Sequence, residues 1–260
     1  MKYAALASGS NGNCYYVGHG DDAILIDVGV SAKQVEQRMR NLGVLPGSIK
    51  AVFITHEHTD HIRGLAVFCK RNQVPVYLTE GTYKGAAIQL PSSLLRIIKP
   101  NESVSIGCLR VTGVPKYHDA CEPCSFTISD GVHNLGLLTD IGRVCEQVER
   151  VIRQSDVLLL EANYDEALLE NGGYPFFLKQ RIRGGSGHLS NQLALDAVLR
   201  FKSSKLRHLI LGHLSAKNNT VALVEAMFVP HCQDIRLSVA GREKETALFD
   251  TKNCPTLLLV

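Results

Sequence analysis

The chain has 260 residues, 45% of them hydrophobic and 20% charged, with a formal net charge of +3. That balance suits a soluble globular protein with a substantial core, and the mild positive charge permits a polyanionic partner without demanding one. The opening MKYAALASGSNGNCYYV is too polar for an export signal, and no apolar run approaches the roughly 20 residues that span a bilayer, so the expectation is a cytoplasmic protein with no membrane partner.

Short apolar runs separated by Gly, Asn and Asp predict strands at KYAAL, CYYVG and AILIDV. A helix follows over SAKQVEQRMRNLG: Ser31 is placed to cap it, Val35, Met39 and Leu42 keep helical spacing, and Gly43 closes it. KAVFITHEHTDH reads as a buried strand running into a His-rich loop, followed by a helix from about His61 and a strand PVYLT. The second half repeats the plan. Strands LRVTGVPK, CSFTIS and HNLGLLTD precede a helix from about Val144 to Gln154 and a buried strand DVLLLEA. A Gly-rich connection, NGGYPFFLKQRIRGGSG, leads to helix SNQLALDAVLRF, strand RHLILGH and helix NNTVALVEAMF. Apolar strands end in Asp or His in both halves. Such a pattern predicts two mixed β-sheets packed face to face with helices on both outer faces, an α/β (α+β) architecture with its reactive residues along one edge. A single domain over 1–260 is expected, with pseudo-repeated halves at about 1–107 and 108–260.

Eight cysteines stand at 14, 69, 108, 121, 124, 145, 232 and 254. Without an export signal they are expected as free thiols. Cys121 and Cys124 form a lone CxxC with no second ligand pair nearby, so they are read as two thiols in a loop.

The sharpest motif is THEHTDH, with His56, His58, Asp60 and His61. Alternation puts His56, His58 and Asp60 on one side of an extended segment, and a turn brings His61 round. Imidazole and carboxylate ligands this close together suit a borderline divalent metal such as zinc. The spacing is not that of the HExxH helix, because Asp60 stands where the second His would be.

HxHxDH at a strand end resembles the hallmark of the metallo-β-lactamase superfamily. Further positions agree in order: Asp27 in ILIDVG, His118 in VPKYHDA, Asp140 in LLTDIG and His213 in LILGHLS. The resemblance implies an αββα four-layer sandwich. It also implies one metal held by His56, His58 and His118, a second by Asp60, His61 and His213, and Asp140 bridging them. Asp27 is implied to orient the ligand loop rather than to bind. Two divalent ions suit hydrolysis, since they lower the pKa of bound water toward ~7 and stabilise a developing oxyanion; a bridging hydroxide is the implied nucleophile. The ions could be Zn²⁺, Mn²⁺ or Fe²⁺.

Nearly the whole chain is similar to the YycJ (WalJ) family of nucleases, through LASGSNGNCYYV, THEHTDHIRGL, HDACEP, EANYD, YPFFLKQRI and SGHLSN. That likeness implies a 5′→3′ exonuclease acting on DNA. One departure is Tyr164 in EANYD, where the family often has His; Asn163, Tyr164 and Asp165 are candidates without a fixed role. Independently, LKQRIRGGSGHLSN sets Lys179, Arg181 and Arg183 before a Gly-rich turn that opens a helix, where Ser190 and Asn191 begin it. Arginines and free helix N–H groups both bind phosphate. GHLS occurs twice, at 187–190 and 212–215. His213 is implied as a ligand, whereas His188 is expected to face the substrate as a phosphate contact or general acid. A small-molecule phosphodiesterase and a nucleic-acid-binding or regulatory metalloprotein with little turnover remain open alternatives.

Overall fold

The computed structural model describes residues 1–253, so Cys254 lies outside the described residues. Among the described residues fourteen strands run in chain order: β1 (Lys2–Ala7), β2 (Cys14–His19), β3 (Asp22–Ile26), β4 (Ile49–Phe53), β5 (Val76–Leu78), β6 (Leu95–Ile97), β7 (Ser103–Ile106), β8 (Leu109–Pro115), β9 (Cys124–Ser129), β10 (Asn134–Leu138), β11 (Val157–Glu161), β12 (His208–Gly212), β13 (Arg236–Val239) and β14 (Phe249–Asp250). Helices α1 (Ala32–Asn41), α2 (Thr59–Ile62), α3 (Leu65–Asn72), α4 (Glu80–Gly85), α5 (Glu146–Gln154), α6 (Glu166–Asn171), α7 (Phe176–Arg183), α8 (Asn191–Phe201) and α9 (Val221–Phe228) connect them.

One sheet has the order β14-β1-β2-β3-β4-β5-β6, and the other runs consecutively from β7 to β13. Pairing is antiparallel from β14 to β3 and parallel from β3 to β6. It is likewise antiparallel from β7 to β10 and parallel from β10 to β13. The two sheets therefore repeat one plan, with β3 matching β10 and β4 matching β11. The repeat is not a clean cut at residue 107. β7 pairs in the second sheet, and β14 returns from the second half to the edge of the first.

Period-2 alternation sorts the side chains into layers. Ile24 and Ile26 of β3 face Leu135, Leu137, Phe126 and Ile210 across the sheets, while Leu25 turns outward to Val35, Met39 and Phe68. In β11, Leu158 and Leu160 turn outward to Val151, Leu195 and Val198 of the helices, and Leu159 points inward. Both faces of each sheet are thus covered, which is why these strands read as unbroken apolar runs. The result is the expected four layers, helix–sheet–sheet–helix.

Ser31 caps α1 as expected, in a capping box with Gln34, and Gly43 follows the helix end with φ of 70°. Several boundaries differ from expectation. The helix after the His-rich loop starts at Thr59 and is interrupted at Gly64, and α5 starts at Glu146 rather than Val144. The Gly-rich connection 171–187 contains a helix of its own, α7. Among the described residues the cysteines are free, with Cys124 buried at the start of β9 and Cys121 exposed.

Candidate metal centre

The C-terminal ends of the strands meet at one edge, where open α/β sheets place their sites. β3 delivers Asp27 and β4 delivers Thr55 and His56. His58 stands in extended conformation at the mouth of α2, whose first turn carries Asp60 and His61. Asp60 therefore reaches the site from a helical turn, not by strand alternation. β8 leads to His118, β10 to Asp140, β11 to Glu161 and Asn163, and β12 to His213. Asp27 (φ 61°), Asp140 (φ 55°) and His213 (φ 56°) all occupy the left-handed region, where the chain turns sharply off its strand.

Ligand atoms of His56, His58 and His118 lie within 4.8 Å of one another, and so do those of Asp60, His61 and His213. Asp140 sits between the groups. Its carboxylate lies 3.3 Å from His61 Nε2, 3.3 Å from His213 Nε2 and 3.8 Å from His118 Nε2. Asp140 Oδ2 and His213 Nε2 are buried without a hydrogen-bond partner among the described residues. Orphaned buried polar atoms are costly, so a convergent pair of them calls for a partner. Imidazoles and carboxylates in this number fit a divalent cation, and the chain carries the donor set for one.

The opposite ring nitrogens are fixed from behind. Asp27 accepts from His61 Nδ1 at 2.7 Å, from the Thr55 amide at 2.9 Å and from the Thr55 hydroxyl at 2.9 Å. Thr55 Oγ1 in turn lies 2.9 Å from His56 Nδ1, and the Gly187 carbonyl lies 3.1 Å from His118 Nδ1. Asp27 thus ties Thr55, at the start of the His-rich loop, to His61 at its end.

Two buried groups escaped the sequence reading. Glu161 Oε1 accepts from His188 Nδ1 at 2.7 Å and from His213 Nδ1 at 3.0 Å, while Oε2 accepts from the Ile141 and Leu189 amides. One carboxylate therefore holds both GHLS histidines. Asn13 Nδ2 lies 3.1 Å from His61 Nε2 and donates to Asp60 Oδ2 at 3.3 Å. From Asn13 a relay runs through Tyr15 Oη and Ser8 Oγ to the His213 amide, tying the ligands of one sheet to those of the other. Gly29 makes room for this turn, because a Cβ there would overlap the Asp60 carbonyl oxygen.

Charge divides the two triads. Burial, reinforced by the charges of His61 and Lys116, drives His56 well below its ordinary pKa. Burial likewise takes His118 down to about 4, helped by Lys116 and His188. These two rings are neutral, ready donors. Burial also opposes a charge on His61, but Asp140 and Asp27 outweigh it and raise the ring to about 10. His213 is raised well above its usual value in the same way, against burial, by Asp140 and Asp60. Burial alone would raise Glu161; the charges of His188 and His213 bring it down to about 2.

Arg181, Tyr174, Leu178 and Ile182 line the pocket over this centre together with His118, Asn163 and His188. Arg181 pairs with Asp119 at 2.5 Å. The other expected phosphate contacts lie elsewhere. Lys179 donates to the Glu170 carbonyl, and Arg183 pairs with the Glu170 carboxylate at 2.9 Å, both away from the pocket lining. Ser190 and Asn191 are 0% and 1% exposed, which corrects the expectation that they meet phosphate. Ser190 caps α8 by accepting from the Leu193 amide, and Asn191 pairs with Asn219. Tyr164 is buried and Asp165 caps α6, while Asn163 donates to the His213 carbonyl at 2.7 Å.

Residues 22–214 match the family model described as a beta-lactamase superfamily domain. The exodeoxyribonuclease WalJ of Streptococcus pneumoniae is 31% identical over 244 residues, covering 92% of this chain and 91% of the relative. The exodeoxyribonuclease YycJ of Bacillus anthracis is 32% identical over 222 residues, covering 84% of each. Among solved structures, Zn²⁺-bound PqqB from Methylobacterium extorquens superposes with a TM-score of 0.73 at 17% identity, over 95% of this chain and 100% of that one. YhfI from Bacillus subtilis gives 0.71 at 17% identity, over 94% and 98%. By fold, by the family model and by sequence identity over most of its length, the chain belongs to the metallo-β-lactamase superfamily and, within it, to the family of WalJ and YycJ.

Proposed function

We propose that the chain is a dinuclear metal-dependent phosphodiesterase that degrades DNA as a 5′→3′ exonuclease in the cytoplasm. The observation that carries the reading is the convergence of two ligand triads on the buried Asp140 carboxylate, whose Oδ2 has no hydrogen-bond partner among the described residues. The names of the relatives supply DNA as the substrate class. His56, His58 and His118 would hold one ion, Asp60, His61 and His213 the other, with Asp140 shared; zinc and manganese suit the donors, and Fe²⁺ is a third choice. Bound divalent ions supply an activated water and neutralise charge on a phosphate.

The chain's own residues do the rest. Asp27, Thr55, Glu161 and the Gly187 carbonyl fix ring orientation, so that the free nitrogens point at the centre. Arg181 stands on the pocket wall, where its guanidinium can exchange Asp119 for a phosphate. His188 donates its Nδ1–H to Glu161, and in its imidazolium form the second proton, on Nε2, is the one it passes to the departing 3′-oxygen. Lys179 and Arg183, both paired with Glu170, lie outside the pocket lining.

The test is incubation of the purified protein and Mn²⁺ or Zn²⁺ with 5′-phosphorylated DNA and, separately, with bis(p-nitrophenyl) phosphate. Mononucleotide release that disappears in Asp60→Ala supports the nuclease. Ester cleavage without DNA degradation would point to a small-molecule phosphodiesterase, and metal binding with neither reaction to a regulatory protein. His188→Ala should lose turnover while keeping its full metal content; loss of an ion there would make His188 a ligand instead.

A further inference from the structure

Among the helices of eight or more residues that the described residues form, α7 alone buries none of its side chains. Leu178, Arg181 and Ile182 of α7, spaced by three and four, form a wall of the metal-site pocket with Tyr174, which stands just ahead of the helix. The adjacent rings of Phe176 and Phe177 are each 72% exposed. The helix, FFLKQRIR, carries three cations and no acid. More cations meet aromatic rings nearby: Lys217 Nζ lies 5.5 Å from the Tyr174 ring centre, and the Arg143 guanidinium lies 3.6 Å from that of Tyr117.

Two exposed aromatic rings beside a row of cations, continuous with a pocket built for phosphate chemistry, match one kind of ligand. A single nucleic-acid strand presents flat apolar faces and an anionic backbone together, and proteins meet it with aromatic stacking and cationic side chains. Phe177 precedes the pocket-lining Arg181 by about one helical turn, or roughly 5–6 Å. That is less than two stacked bases at about 3.4 Å each, so a strand engaged at the metal centre has bases within reach of the rings. Lys179 and Arg183 share Glu170 in the free protein and can turn to the backbone of such a strand.

Building on the nuclease reading, we infer that α7 is a stacking platform for single-stranded DNA, with Phe176 and Phe177 holding the bases next to the scissile phosphate. The platform acts on strand binding and leaves the chemistry at the metal centre alone.

The experiment compares the wild type with the double variant Phe176→Ala/Phe177→Ala and with Phe176→Tyr/Phe177→Tyr. Fluorescence anisotropy of a labelled single-stranded oligonucleotide reads binding, and bis(p-nitrophenyl) phosphate hydrolysis reads the metal centre. The Ala pair should weaken oligonucleotide binding by about tenfold or more, as loss of base stacking does. Its ester hydrolysis should stay within about twofold of wild type, and the Tyr pair should restore binding. Equal oligonucleotide affinity in the Ala pair overturns the inference. So does an equal loss of ester hydrolysis, or a wild-type dimer in sedimentation velocity that the Ala pair dissolves without any change in DNA affinity. If the wild type neither binds nor degrades DNA, the nuclease reading itself falls; if it does both and the Ala pair matches it, only the platform falls.

Discussion

Replacing Glu161 by Gln isolates the role of the carboxylate that joins the two GHLS histidines. Gln keeps the shape but must put an NH₂ in place of one oxygen. With its amide oxygen at Oε1, the NH₂ faces the Ile141 and Leu189 amides, which are donors themselves. With the amide flipped, the NH₂ faces His188 Nδ1 and His213 Nδ1. His213 must then carry its proton on Nε2, toward the metal position. Either arrangement loses a buried hydrogen bond to a charged group, worth about 1.5–3 kcal/mol. At about 1.4 kcal/mol per decade that is roughly 10- to 150-fold. Glu161→Gln should therefore lower affinity for the ion at Asp60, His61 and His213 by about 10- to 100-fold, the range usual when a group behind a ligand is changed. The ion at His56, His58 and His118 should be held as before, because Glu161 touches none of those rings. Competition against a chromophoric chelator at fixed pH resolves the two affinities. Two ions bound at wild-type strength would refute the argument that Glu161 fixes the His213 tautomer.

Metal binding should release protons from His61 and His213 and none from His56 and His118. His61, raised to about 10, and His213 are protonated at neutral pH in the metal-free protein, whereas His118, lowered to about 4, and His56 are not. Affinity at the Asp60 triad should rise with pH from neutrality toward 10, and calorimetric enthalpies should differ between buffers of different ionisation enthalpy; identical enthalpies would contradict this. By the same linkage, His61 stabilises the metal-free fold fully below its unfolded value of about 6.5 and loses that contribution as pH rises through about 10. Gly29→Ala should force the Asp60 carbonyl away, lowering the melting temperature by the equivalent of about 1–3 kcal/mol together with metal content; an unchanged metal stoichiometry would count against the close approach. Ser190→Ala should cost about 1 kcal/mol in chemical denaturation through loss of the α8 cap and leave turnover intact, whereas a large drop in turnover would restore a substrate role to Ser190.

What could be read from the sequence depended on how local the signal was. The ligands at 56, 58, 60 and 61 crowd into one motif after an apolar strand, and Asp27, Asp140 and His213 each follow another such strand. Glu161 ends its strand in the same manner, within DVLLLEA, yet a lone Glu at a strand end does not announce itself. It obeys the same rule as Asp27, Asp140 and His213 once Glu is counted with Asp and His as a strand-end residue. Asn13 hides in a small-residue turn, and its importance lies in a contact 47 residues away. Helix α7 gave no period because it buries no face, and flanking Gly and Pro made it look like a connection. Ser190 was legible as a cap, but its complete burial, which removes it from the substrate, depends on packing between α6 and α8. The pairing of β14 with β1 is long-range and leaves no local trace, whereas β7 joins the second sheet through a tight hairpin to β8 at Gly107 and Cys108.

The left-handed backbone at Asp27, Asp140 and His213 bears on how this centre should be dissected. An L-residue with a Cβ is held there at an expense of about 1–2 kcal/mol, which Asn and Asp offset in part and glycine does not incur. Alanine, the usual reporter of side-chain function, is thus a poor reporter at these three positions. It deletes the functional group and keeps the conformational penalty, so a drop in activity conflates a missing ligand with a sprung turn. Asn at 27 and 140, and Gly at 213, separate the two. The same geometry makes the strand ends a ratchet on sequence change: these positions admit few residue types even where no metal is ever bound.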